Sequence, residues 1–188
     1  MNLSPRLRWV ALGFGAAMVV IALGALGVIE GGVYNATAIQ PHDPLSGWAT
    51  HTTMTRYFQR HALGVAAPAR FSATQITAGL RDYQASCVEC HGGPAVARAR
   101  WTSGITPSPP YLLDASRHWS SSELFLIIKE GVKMTAMPAW GLSRSDAQIW
   151  DLVAFLEAAP DLAPSAYARM AVAPQPSRPT SRSSAPPS

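Results

Sequence analysis

Two thiols and an imidazole within five residues, Cys87-Val88-Glu89-Cys90-His91, constrain this chain more than any other feature of its sequence. The cysteines stand three apart, about one turn of helix, so both can add to vinyl groups along one edge of a porphyrin. His91 follows the second cysteine directly and is carried under the ring, within reach of the iron.

A C-x-x-C pair also occurs in structural zinc sites and in thiol redox proteins. Zinc needs a second close group of ligands, and the other histidines, His42, His51, His61 and His118, form no paired cluster. A redox pair belongs between a strand and a helix, yet no alternating β-branched run flanks Cys87 and Cys90. The expectation is one covalently bound haem c. With both cysteines used in this way, none remains for a structural disulfide.

The N-terminus supplies the compartment. Residues 9 to 29 contain no charge and are rich in Val, Leu, Ala, Ile and Gly. At about 1.5 Å per residue this stretch crosses a hydrocarbon core of roughly 30 Å. A cleaved signal peptide would share the basic start and apolar centre, and Ala22-Leu23-Gly24 resembles a cleavage site. Its apolar region would typically end within about 15 residues, whereas this one continues through Leu26, Val28 and Ile29. Arg6 and Arg8 precede the span and Glu30 follows it, so residues 1–8 are expected in the cytoplasm. The remainder is expected outside a bacterial inner membrane, with the haem domain in the periplasm.

The formal charge of +4 does not imply a nucleic acid partner. Residues 70 to 160 hold eight Lys or Arg against eight Asp or Glu, and the excess basicity lies before and after them. Residues 30–71 read as a linker. Its first part, 31–49, is rich in Gly, Pro, Asn, Asp and Thr, and a possible short helix follows at 50–63 with Met54, Tyr57, Phe58 and Leu63 partly on one face. Residues 161–188 read as a disordered tail rich in Pro, Ser and Arg, most extreme from 174 onward.

Three helices are expected between these flanks. The first spans about 73–86 behind Ser72, with Ile76, Leu80 and Tyr83 on one face, and it delivers the chain into the cysteine motif. The second begins at Ser120 with Glu123 in capping-box register and closes at Gly131. The third repeats the device with Ser145 and Gln148. It buries Ile149, Leu152, Val153 and Leu156, and Pro160 ends it.

A low-spin electron carrier needs a second axial ligand, and a thioether favours Fe(II). Met137 is preferred over Met134 because Pro138 discourages helix at the residue before it and leaves an extended loop. His118 or an open position are the alternatives, and both methionines serving only as core is another.

With these residues in view, the chain resembles the class I monohaem cytochromes c, particularly membrane-anchored bacterial members and the cytochrome modules of respiratory oxidase subunits. The resemblance covers residues 72 to 160. It is carried by Gly79, Tyr83, the run from Cys87 to Gly92, the run from Gly131 to Gly141, and Trp150. It implies an all-α fold around one haem, whose first and last helices cross with Gly79 allowing close approach and Trp150 nearby. It also implies that a proline carbonyl accepts the His91 Nδ1 proton, with Pro107, Pro109 and Pro110 as candidates. Arg98, Arg100, Trp101, Tyr111 and Arg117 are candidates for the haem carboxylates. His42, His51 and His61 are expected to be ordinary surface histidines.

The function expected is one-electron transfer without catalysis of a substrate. The donor would be a quinol-oxidising complex or a dehydrogenase, and the acceptor a terminal oxidase or reductase, with the chain free or a subunit of a larger complex. The alternative is a haem enzyme or gas sensor with an open or displaceable sixth ligand.

Overall fold

The computed structural model describes residues 4–172, which fall into two units divided between Gln40 and Pro41. The first unit carries helix α1 (Pro5–Glu30), four residues longer than expected at its start and one at its end. Pro5 explains the earlier start, because its fixed φ suits the first helical position and its missing N–H costs nothing there. None of α1 is buried, and its most apolar 18 residues have a mean hydropathy of 2.4. It is long and apolar enough to cross a membrane.

The second unit opens with α2 (Pro44–His61), which corrects the expected linker. Asp43 Oδ1 accepts from the amides of Leu45 and Ser46, and Pro44 presets the first turn, so the helix begins well before residue 50. The threonine run does not interrupt it; Thr50 Oγ1 turns its bond back onto the Ser46 carbonyl at 2.7 Å. Phe58 and Ala62, four apart on one face, are buried in the core. Tyr57 Oη donates to Glu130 Oε2 at 3.0 Å, and Ser122 Oγ donates to the Val65 carbonyl at 2.9 Å. Residues 44–65 are therefore part of the folded unit.

Three capping boxes set the starts of the main helices. Ser72 and Gln75 open α3 (Ala73–Ser86), Ser120 and Glu123 open α5 (Ser121–Glu130), and Ser145 and Gln148 open α6 (Asp146–Ala158). A one-turn helix, α4 (Val88–His91), follows α3 directly. Among the described residues there is no strand, only an isolated bridge between Gly93 and Val96.

The core forms where α3 crosses α6. A Cβ on Gly79 would lie 1.7 Å from the Asp151 carbonyl oxygen, so only glycine lets the backbones approach this closely. Leu80 and Tyr83 then meet Ile149, Leu152 and Phe155, all nearly or fully buried. The apolar surface of α6 extends beyond the expected stripe to Ala154 and Phe155, because α3 and α5 both pack on it. Trp150 stacks on Phe125 at 4.2 Å between ring centroids.

The expected tail is also corrected. Pro160 sits in a 3-10 turn (Ala159–Asp161), and the chain then forms α7 (Pro164–Val172). Tyr167 of α7 is only 2% exposed and closes the core against Phe155. Composition hid this because Tyr167, with Met170 beside the core, anchors a short helix whose other residues are mostly small. The expected disorder at residues 174 to 188 lies outside the described residues.

Candidate haem-attachment site

Helix α3 ends at the first cysteine. The Cys87 amide donates to the Tyr83 carbonyl at 2.8 Å, and the Cys87 carbonyl then accepts from Cys90 at 3.1 Å and His91 at 2.9 Å. Both cysteines are free thiols on one turn. Burial pushes the Cys87 thiol up to about 12, with the Arg144 guanidinium pulling the other way. Such a thiol makes a poor redox nucleophile.

Gly92 stops the turn at φ +69, and a Cβ there would meet Tyr111 Cε1 at 2.7 Å and the Val96 carbonyl at 2.9 Å. Its own carbonyl accepts from the buried Tyr83 hydroxyl at 2.7 Å. Gly93 lies beneath the Tyr167 hydroxyl, which accepts from Gln84 Nε2 at 2.5 Å. The motif is thus held from α3 on one side and from α7 on the other. Sequence reasoning missed the second support, because its signal is spread over Leu162, Tyr167 and Met170 in a segment whose Pro, Ser and Ala resemble the tail that follows.

His91 is buried, and its Nδ1 lies 2.7 Å from the Pro110 carbonyl oxygen. A carbonyl has no proton to give, so Nδ1–H donates and Nε2 keeps its lone pair. Of the three candidate prolines, Pro110 is the one so placed. Burial lowers the His91 pKa; the bond to Pro110 opposes the shift and the nearby Arg98 adds to it. The ring is consequently neutral near pH 7, as a metal ligand must be.

The segment that presents Pro110 is braced in turn. Arg98 Nη1 donates to the Pro109 carbonyl, and its guanidinium lies 4.3 Å over the Tyr111 ring. Of the five residues considered for haem carboxylates, Arg98 and Tyr111 are therefore next to the motif. Arg98 is half-buried, and Tyr111, Arg100, Trp101 and Arg117 are exposed.

The methionine loop follows α5. Gly131 closes that helix at φ +67, where a Cβ would collide with Pro138 and Ala139 at 2.6 Å. The Val132 amide donates to the Met137 carbonyl at 3.2 Å, and the Met137 amide donates to Thr135 Oγ1 at 3.0 Å. This folding separates the two methionines. Met137 is half-buried against the core, whereas Met134, at φ +63, is 76% exposed. Beyond Met137, the Trp140 Nε1–H is buried and finds no hydrogen-bond partner among the described residues.

These residues fit a covalent haem. Two unpaired thiols share a turn, an imidazole is fixed in the tautomer that leaves Nε2 free, and a thioether is tucked into a constrained loop. Among the described residues no group of three or more His, Cys, Asp or Glu gathers. His51 and His61 are exposed, and His61 Nδ1 bonds to the Tyr57 carbonyl.

A glycine-mediated crossing of α3 and α6, a C-x-x-C-H turn closing α3, and a methionine loop before α6 define a class I c-type cytochrome module, whose role is haem-based electron transfer. In agreement, residues 74–156 match the family model described as cytochrome c oxidase, cbb3-type, subunit III. No curated protein and no solved structure matches the chain.

Proposed function

We propose that this chain is a membrane-tethered one-electron carrier with one covalent haem c. Cys87 and Cys90 hold the group by thioethers, each formed as an S–H adds across a vinyl double bond. His91 Nε2 and Met137 Sδ would ligate its iron. When bound, the haem supplies the Fe(III)/Fe(II) couple. The observation that carries this reading is the His91 Nδ1 bond to Pro110, because it fixes the ring and leaves one nitrogen for iron.

The choice of Met137 is supported by its half-buried position and by the exposure of Met134. Two strong-field ligands held by the protein keep coordination similar in both oxidation states, which suits outer-sphere transfer more than substrate turnover. Helix α1 is the anchor in this reading. Arg6 and Arg8 remain cytoplasmic and the cytochrome lies in the periplasm. Donor and acceptor are respiratory: a quinol-oxidising complex or dehydrogenase on one side, a terminal oxidase or reductase on the other. The family match favours residence as a subunit of such a complex.

The test is an oxidised and reduced optical spectrum of the membrane-fraction protein, with haem staining after denaturing electrophoresis. Covalent stain, a low-spin reduced spectrum and a thioether-to-iron band are expected. Met137→Ala should abolish that band and admit carbon monoxide to the ferrous protein, while Met134→Ala should do neither. Ready carbon monoxide binding by the unsubstituted protein would instead favour the haem enzyme or gas sensor. Absence of covalent haem would remove the cytochrome reading altogether.

A further inference from the structure

Arg144 lies just before the Ser145 cap of α6, and its side chain is only 13% exposed. Nη2 donates to Ser86 Oγ at 2.6 Å, and Nε stands 3.8 Å from Asp82 Oδ2. Both partners belong to the last turns of α3, and Ser86 is the residue before Cys87. On its other side the guanidinium covers the Trp140 ring, with Cζ 4.2 Å from the centroid, and the Arg144 amide donates to the Trp140 carbonyl at 2.8 Å. Trp140 stands three residues after Met137. One side chain thus touches the last turn of α3, directly before the first cysteine, and the indole directly after the methionine loop, Arg144 and Ser86 being 58 residues apart in sequence.

We propose that Arg144 is a positioning residue, a latch that holds the Met137 loop against the haem-attachment turn and so keeps the sixth coordination position closed. This rests on the ligand assignment proposed above. Arginine suits the task because its planar fork hydrogen-bonds Ser86 and pairs in charge with Asp82 along the edge while the face stacks on the indole. A lysine at this place keeps the charge but cannot make the edge and face contacts together. An outside ligand reaches the iron only in the fraction of molecules whose loop is open, so its apparent affinity reports the latch directly.

The experiment uses the full-length, haem-loaded protein in detergent, with imidazole as the probe. Its readouts are the ferric thioether-to-iron band and the imidazole Kd, beside haem staining and helical circular dichroism. Arg144→Ala is expected to lower the imidazole Kd by about tenfold or more, with the band weakened and covalent haem retained. Arg144→Lys should recover less than half of that effect on a logarithmic scale. Lys129→Ala, which breaks an exposed ion pair with Asp146, should leave Kd unchanged.

An imidazole Kd within about twofold of the unsubstituted protein in Arg144→Ala, with its band intact, overturns the latch alone. A missing band in the unsubstituted protein overturns the ligand assignment, and the latch with it. If Arg144→Ala yields no haem-loaded protein, Ser86→Ala and Asp82→Asn each remove one contact. A fall in Kd of about twofold or more in either supports the latch, and no change in both overturns it.

Discussion

Gly79→Ala tests the contact on which the cytochrome module is assembled. The new Cβ would lie 1.7 Å from the Asp151 carbonyl oxygen, 2.4 Å from its carbon and 3.0 Å from the Leu152 nitrogen. A comfortable carbon–oxygen contact is about 3.3 Å, so the backbones must part by roughly 1.5 Å. A gap of even about 1 Å forfeits up to half the dispersion energy of the facing atoms, here Leu80 and Tyr83 against Ile149, Leu152 and Phe155. Overpacking costs of about 1–3 kcal/mol are typical, and a clash with backbone belongs at or above the upper end. Against this, alanine gains about 1 kcal/mol over glycine within a helix.

The net expectation is a loss of about 2–4 kcal/mol, followed by urea unfolding of the haem-loaded chain with circular dichroism and haem absorbance as probes. Gly104→Ala is the control. Its Cβ would meet nothing within 4 Å, so a change within about 1 kcal/mol is expected. If Gly79→Ala were as stable as the unsubstituted chain, or more stable, helix propensity would have prevailed and the crossing geometry argued here would be wrong.

Tyr167→Ala should cost about 3–5 kcal/mol in the same urea assay, as expected for removing a fully buried aromatic, whereas Tyr167→Phe should cost only about 1 kcal/mol for the Gln84 bond. Equal effects of the two would show that α7 contributes by its hydroxyl and not by packing. The lowered pKa of His91 fixes the sign of one pH dependence. The unfolded ring, with a pKa of about 6.5, binds protons that the folded ring refuses, so this stabilisation is complete above that value and is lost as pH falls below it. In the haem-free protein, where no iron holds Nε2, a urea midpoint that rises as the pH falls from 7.5 to 5 would contradict it.

The features legible in the sequence were the local ones. Ser120 with Glu123 and Ser145 with Gln148 declare their helices within four residues, and the cysteine motif carries its own geometry. Met137 and Met134 were separable because Pro138 acts on its neighbour. What stayed hidden depended on distant partners. Three prolines of one loop are equivalent until the fold brings Pro110 to His91, and nothing near Arg144 announces Ser86 or Trp140. In α2 the signal was present, since Asp43-Pro44 is a good helix start. The threonines after it argued for loop, and burial of Phe58 and Ala62 outweighed their weak propensity.

The seal that Tyr167 places on Gly93 bears on the order in which the site becomes rigid. Its partner Gln84 lies 83 residues away in sequence, so the contact closes one of the longest loops in the folded unit. Such closures gain their reward late, after the shorter-range helix contacts have formed. The cysteine turn therefore receives its outer support near the end of folding, and a chain cut short before α7 should present that turn unsealed.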